Sequence, residues 1–73
     1  MQKFSVIIEW DAAGYYAYCP DLPGCQTQGD SMEEAVANIK EAISLYLETL
    51  SPEELNQLTC KEIFSTTVEV SVA

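Results

Sequence analysis

The sequence predicts an α+β fold in the order β-β-β-α-(α)-β: an antiparallel meander and a terminal strand, with one main helix packed on one face. Three observations predict it. A loop rich in Pro and Gly, from residue 19 to residue 30, separates short extended runs from a capped helix start. The helix behind it repeats apolar side chains at spacings of three and four. The last residues, TTVEVSV, alternate between polar and apolar at a period of two.

Residues 3–10, KFSVIIEW, read as the first strand. Phe4, Val6, Ile8 and Trp10 fall on one face, and Ser5, Ile7 and Glu9 on the other. Asp11-Ala12-Ala13-Gly14 is a tight connection, with Gly14 free to take a positive φ. Residues 15–19, YYAYC, form a second strand. Both of its faces look apolar. Tyr15, Ala17 and Cys19 are placed inward, because the small Ala17 lets a helix approach closely. Tyr16 and Tyr18 then point outward; the opposite register would exchange the two sets. Pro23-Gly24 is a turn, with Pro presetting φ and Gly accepting the positive value that follows. A third strand covers about residues 25–28.

Ser31 with Glu34 has the pattern of a capping box, so the main helix starts near Met32 and is expected to run to about Leu50. Met32, Val36, Ile39, Ile43, Tyr46 and Leu50 make its apolar stripe. Leu45 falls off that stripe and is either a surface side chain or part of a contact with another chain. Ser51-Pro52-Glu53-Glu54 repeats the start signal, and a short helix to about Leu58 follows. Residues 66–72 then read as a terminal strand with Val68, Val70 and Val72 on its buried face. The simplest route joins it to the sheet by a right-handed crossover, parallel to a strand already there. The second face of the sheet is left with no element to cover it. That face carries Ser5, Ile7, Glu9, Tyr16, Tyr18, Gln26, Gln28 and Glu69, a mixture suited to a protein interface.

Bulk properties narrow the function. Seventy-three residues imply a single domain, residues 1–73, with a thin core, so a homodimer or higher homo-oligomer is expected. No apolar run approaches the roughly 20 residues of a membrane span, and the N-terminus lacks a signal-peptide pattern. A cytoplasmic protein with no membrane partner is the simplest expectation. Twelve acidic residues against three Lys and no Arg give a net charge of −9. Such a surface cannot track phosphates, so no direct nucleic-acid binding is expected. A basic protein partner fits, because complementary fields speed and select encounter. Acidity that serves only solubility is the bland alternative.

Little in the chain points to catalysis. It has no His, the usual base for a Ser or Cys nucleophile, and no phosphate-cradling glycine motif. Asp11, Asp21 and Asp30 are read as turn and cap residues and not as a metal cluster. Cys19, Cys25 and Cys60 are read as structural thiols; a Cys19–Cys25 bridge fits only an oxidising or hyperthermophilic cytosol. No catalytic residue, metal or cofactor is expected.

Gly14-Tyr15-Tyr16-Ala17, then Cys19-Pro20-Asp21-Leu22-Pro23-Gly24-Cys25, then Gly29-Asp30-Ser31 with Glu33-Glu34-Ala35 and Asn38-Ile39 together carry a resemblance. The combination resembles the N-terminal domain of HicB-family antitoxins. It implies a β-β-β-α-β layout, a partial ribonuclease H-like fold. It also implies a partner, a small basic HicA toxin whose RNA-cleaving site the antitoxin covers. The similarity is to a short form without the DNA-binding domain that many HicB proteins carry, so direct operator binding is not expected. The expected function is thus a toxin-neutralising binding module of a type II system, and not an enzyme. An orphan structural or regulatory homo-oligomer is the second reading. Glu9, Tyr16, Tyr18, Asp21 and Leu22, on the open face and its adjoining loop, are the expected partner contacts.

Overall fold

The structure is a computed structural model that describes residues 2–72. Three strands and two helices follow in chain order: β1 Ile7–Asp11, β2 Gly14–Tyr18, β3 Gln26–Gly29, α1 Met32–Glu48 and α2 Pro52–Gln57. The strands form an antiparallel sheet in the order β1-β2-β3. The α+β class, the meander and the main helix are as the sequence predicts.

Local chemistry fixes each connection. Between β1 and β2, the Asp11 Oδ1 accepts a hydrogen bond from the Ala13 N–H at 2.8 Å, and Gly14 takes a φ of +121°. The 19–25 loop is two tight turns in series. Leu22 N–H donates to Cys19 O at 3.1 Å, and Cys25 N–H donates to Leu22 O at 3.0 Å. Gly24 sits at a φ of +83°, the value the third position of a type II turn requires. Cys19 N–H then closes the loop on Cys25 O at 3.0 Å.

Those turns tuck one side chain underneath. Leu22 is 1 % exposed and joins Ala17, Cys19, Cys25, Ala35 and Ile39 in the buried core. Burial pushes the thiols of both Cys19 and Cys25 above the usual value, because desolvation penalises the thiolate; both are free, and Cys60 is exposed. Small residues bring helix and sheet together. A methyl group on Gly29 would lie 2.6 Å from the backbone N of Ala35, in the first turn of α1. Gly29→Ala is therefore expected to cost about 1–3 kcal/mol, read as a lower midpoint in urea unfolding, because backbone and not a flexible side chain must yield.

The two helix starts differ despite sharing a pattern. Ser51 and Glu54 form the full reciprocal box: Glu54 N–H donates to Ser51 Oγ at 3.1 Å, and Ser51 N–H donates to Glu54 Oε1 at 2.9 Å. At α1, Ser31 Oγ accepts from Glu34 N–H at 3.1 Å, but Glu34 Oε1 accepts from the N–H of Asp30 at 3.2 Å. The expected box at Ser31 is thus shifted by one residue. The Ser51 backbone N–H, and secondarily its side chain, hold the Glu54 carboxyl below its ordinary value of 4.5. A depressed folded-state pKa stabilises above the unfolded value, and that contribution is lost as pH falls through the folded value. In an NMR titration the Glu54 carboxyl is expected to protonate at lower pH in the folded chain than in a peptide spanning α2.

Two expectations are corrected. Residues 66–72 form no strand and pair with no element of their own chain; residues 64–72 are all exposed. The chain is tied to the rest of the fold just before this segment. Lys61 N–H donates to Asp21 Oδ1 at 3.4 Å, and Ser5 Oγ donates to Lys61 O at 3.3 Å, beyond which the tail leaves the sheet. Trp10, expected on the inner face with Phe4, Val6 and Ile8, is 69 % exposed and lies tilted at 46° to the Tyr15 ring, 6.3 Å between centroids. The reason is the seat of α1, which packs chiefly over β3 and then β2.

Candidate functional site

Antiparallel pairing brings three of the expected residues into one patch. Glu9 lies opposite Tyr16, Tyr18 opposite Gln26, and Tyr16 opposite Gln28. Ala17 and Cys19 are buried and Tyr15 packs against the core, so Tyr16 and Tyr18 occupy the opposite face. Their rings lie 5.5 Å apart at 35°. Diagonal neighbours on a sheet lie within reach of long side chains. Tyr16 Oη accordingly donates to Gln26 Oε1 at 2.8 Å, and Tyr18 Oη donates to Glu9 Oε2 at 3.4 Å.

The result is a chain of four side chains, Glu9–Tyr18–Tyr16–Gln26, running obliquely across all three strands. Desolvation, then the Glu9 charge and its hydrogen bond, then Tyr16, raise the Tyr18 hydroxyl above the usual 10.0. Tyr18 therefore stays protonated and donates to the carboxylate. Two aromatic rings held by hydrogen bonds offer flat apolar area at little entropic cost, flanked by one exposed acid. That combination suits protein recognition, where Tyr anchors are over-represented. The main helix α1 packs on the opposite face, against Ala17.

The remaining two expected residues sit elsewhere. Leu22 is a core side chain and offers no surface to a partner, which corrects the expectation drawn from its place in a Pro-bounded loop. Asp21 is half-buried and turned toward its own chain: one oxygen accepts from Lys61, and the buried Oδ2 has no hydrogen-bond partner among the described residues. Gln26, not among the expected contacts, belongs to the patch. Its signal was the strand period, which puts residue 26 on the same face as the two tyrosines. Among the described residues, no three Asp, Glu or Cys side chains converge in a metal-binding arrangement, and no helix is long and apolar enough to cross a membrane.

The family profile described as "HicB_like antitoxin of bacterial toxin-antitoxin system" matches residues 4–70. The chain belongs to the HicB-like antitoxin family. The HicB-like chain is also 46 % identical over 69 residues to a UPF0150 protein of Helicobacter pylori, covering 94 % of this chain and 96 % of that protein. It is 51 % identical over 52 residues to a UPF0150 protein of Synechocystis, covering 70 % and 66 % respectively. A UPF0150 protein of Thermoplasma acidophilum is 55 % identical over 49 residues, covering 66 % and 71 %. No solved structure matches the chain.

Proposed function

We propose that this HicB-like domain is the neutralising half of a toxin–antitoxin pair. It binds a small basic HicA-type toxin and covers its RNA-cleaving site. The observation that carries the reading is the uncovered sheet face, with the Glu9–Tyr18–Tyr16–Gln26 chain, in a protein of net charge −9 without Arg. An RNA-cleaving protein needs a cationic surface to hold phosphates, and that surface is the natural complement of this one. The domain works by occlusion and performs no chemistry itself. Its layout is taken as the partial ribonuclease H-like arrangement that the family resemblance implies.

The test is direct. The purified chain is mixed with a HicA-type toxin, and RNA cleavage is followed. Stoichiometric loss of cleavage is expected, with binding that weakens as salt is added. Cleavage that continues at excess antitoxin would reject the reading.

A further inference from the structure

The tail that leaves the sheet and the groove that lacks a strand are complementary. Residues 66–72 have the alternation of a half-buried strand, yet Val68 is 73 % exposed, Val70 77 % and Val72 93 %. The radius of gyration is 14.8 Å and the longest extent 52 Å against 26 Å for the next. A compact domain of this length has a radius of about 11 Å, so the excess reflects a projecting arm.

The groove lies along β1. β1 pairs only with β2, so its outer backbone edge is open. Because α1 sits over β3 and β2, the space under β1 is unfilled. It is a groove of about 370 Å³ lined by Phe4, Val6, Ile8, Val36, Ile43 and Leu47. An open edge above an apolar groove is a template for an added strand.

We propose that residues 66–72 of one chain add to the β1 edge of a second copy as its fourth strand. Val68, Val70 and Val72 enter the groove, and Thr67, Glu69 and Ser71 face outward. Two copies exchange tails around a two-fold axis, so each chain both gives and receives a strand. The occupant is a second copy and not the chain's own tail because that tail projects from its own domain. The bonds from Lys61 to Ser5 and Asp21 hold residue 61 near the start of β1, and residues 64–72 beyond it are all exposed and pair with no strand of their own chain, in a molecule 52 Å long. Exchange also supplies burial that the chain lacks alone, since Leu22 is the one large side chain fully buried among the described residues.

The test uses the full chain. Sedimentation across a concentration series is expected to show a dimer, strengthened by added salt because each copy carries −9. In a mixed sample of labelled and unlabelled chains, isotope-filtered NOEs are expected between Val68 or Val70 methyls of one chain and Ile8 or Ile43 methyls of the other. Val70→Asp, which acts at both ends of the exchange, is expected to weaken the dimer about a hundredfold. Deletion of residues 66–72 is expected to leave a folded monomer by circular dichroism. A chain that stays monomeric, NOEs confined within one chain, or a dimer that survives both variants would overturn the proposal. Toxin inhibition is a separate readout: its loss leaves the tail exchange standing, and a monomeric antitoxin that still inhibits would sink only the exchange.

Discussion

Leu22→Ala is expected to cost about 2–5 kcal/mol of folding stability, the usual range for a fully buried Leu cut back to Ala. The consequence is severe here because little else is buried. A chain of this length has a total stability of about 4–11 kcal/mol, so the variant loses a large share of it. Leu22 anchors the two turns that close the Cys19–Cys25 loop, and its backbone both donates to Cys19 O and accepts from Cys25 N–H. Removing the side chain leaves a cavity under those turns, against Ala17 and Ile39, which are already near-inaccessible. Thermal unfolding reads the effect as a fall in midpoint of tens of degrees or as loss of the cooperative transition. A variant with unchanged midpoint and weakened partner binding would show instead that Leu22 is a surface contact.

Glu9→Lys is expected to have the opposite signature. Glu9 is exposed at the end of the side-chain row and contributes little to folding, so the unfolding midpoint should stay near wild type. Against a cationic partner, however, the reversal removes an attraction and adds a repulsion. The expected loss is about 2–3 kcal/mol of binding, near a hundredfold in Kd, seen mainly at low salt. Tyr18→Phe keeps the ring and removes the hydroxyl that donates to Glu9. It should cost less, about tenfold at most, because only the orientation of the carboxylate is lost. Glu9→Lys binding with wild-type affinity would move the interface off this face.

Much of the architecture was written in short-range chemistry. Turn residues at 11–14 and 23–24 fixed the meander, and serines at 31 and 51 fixed both helix starts, because these signals act within a few residues. What the sequence did not carry was relative placement. The period of two marks Trp10 as inward-facing, but whether anything covers it depends on where α1 lands on the sheet. Likewise Val36 lies on the apolar stripe and is about half exposed, because it lines the unfilled groove. The alternation in residues 66–72 identifies a strand-competent segment and says nothing about its partner.

The candidate site divides along the same line. Glu9, Tyr16 and Tyr18 were legible because strand register alone places them together. Leu22 was not, since tandem turns rich in Pro and Gly look like surface while their one large apolar side chain points beneath the sheet. Asp21 looked free for a partner, but the tail that crosses it at Lys61 lies 40 residues further along the chain.

Chemical-shift mapping of the isotope-labelled chain, titrated with a HicA-type toxin, tests the central claim most directly. Perturbations concentrated at Glu9, Tyr16, Tyr18 and Gln26 are the predicted result. Saturable binding that leaves those four residues unmoved and perturbs the exposed side of α1 instead would contradict it.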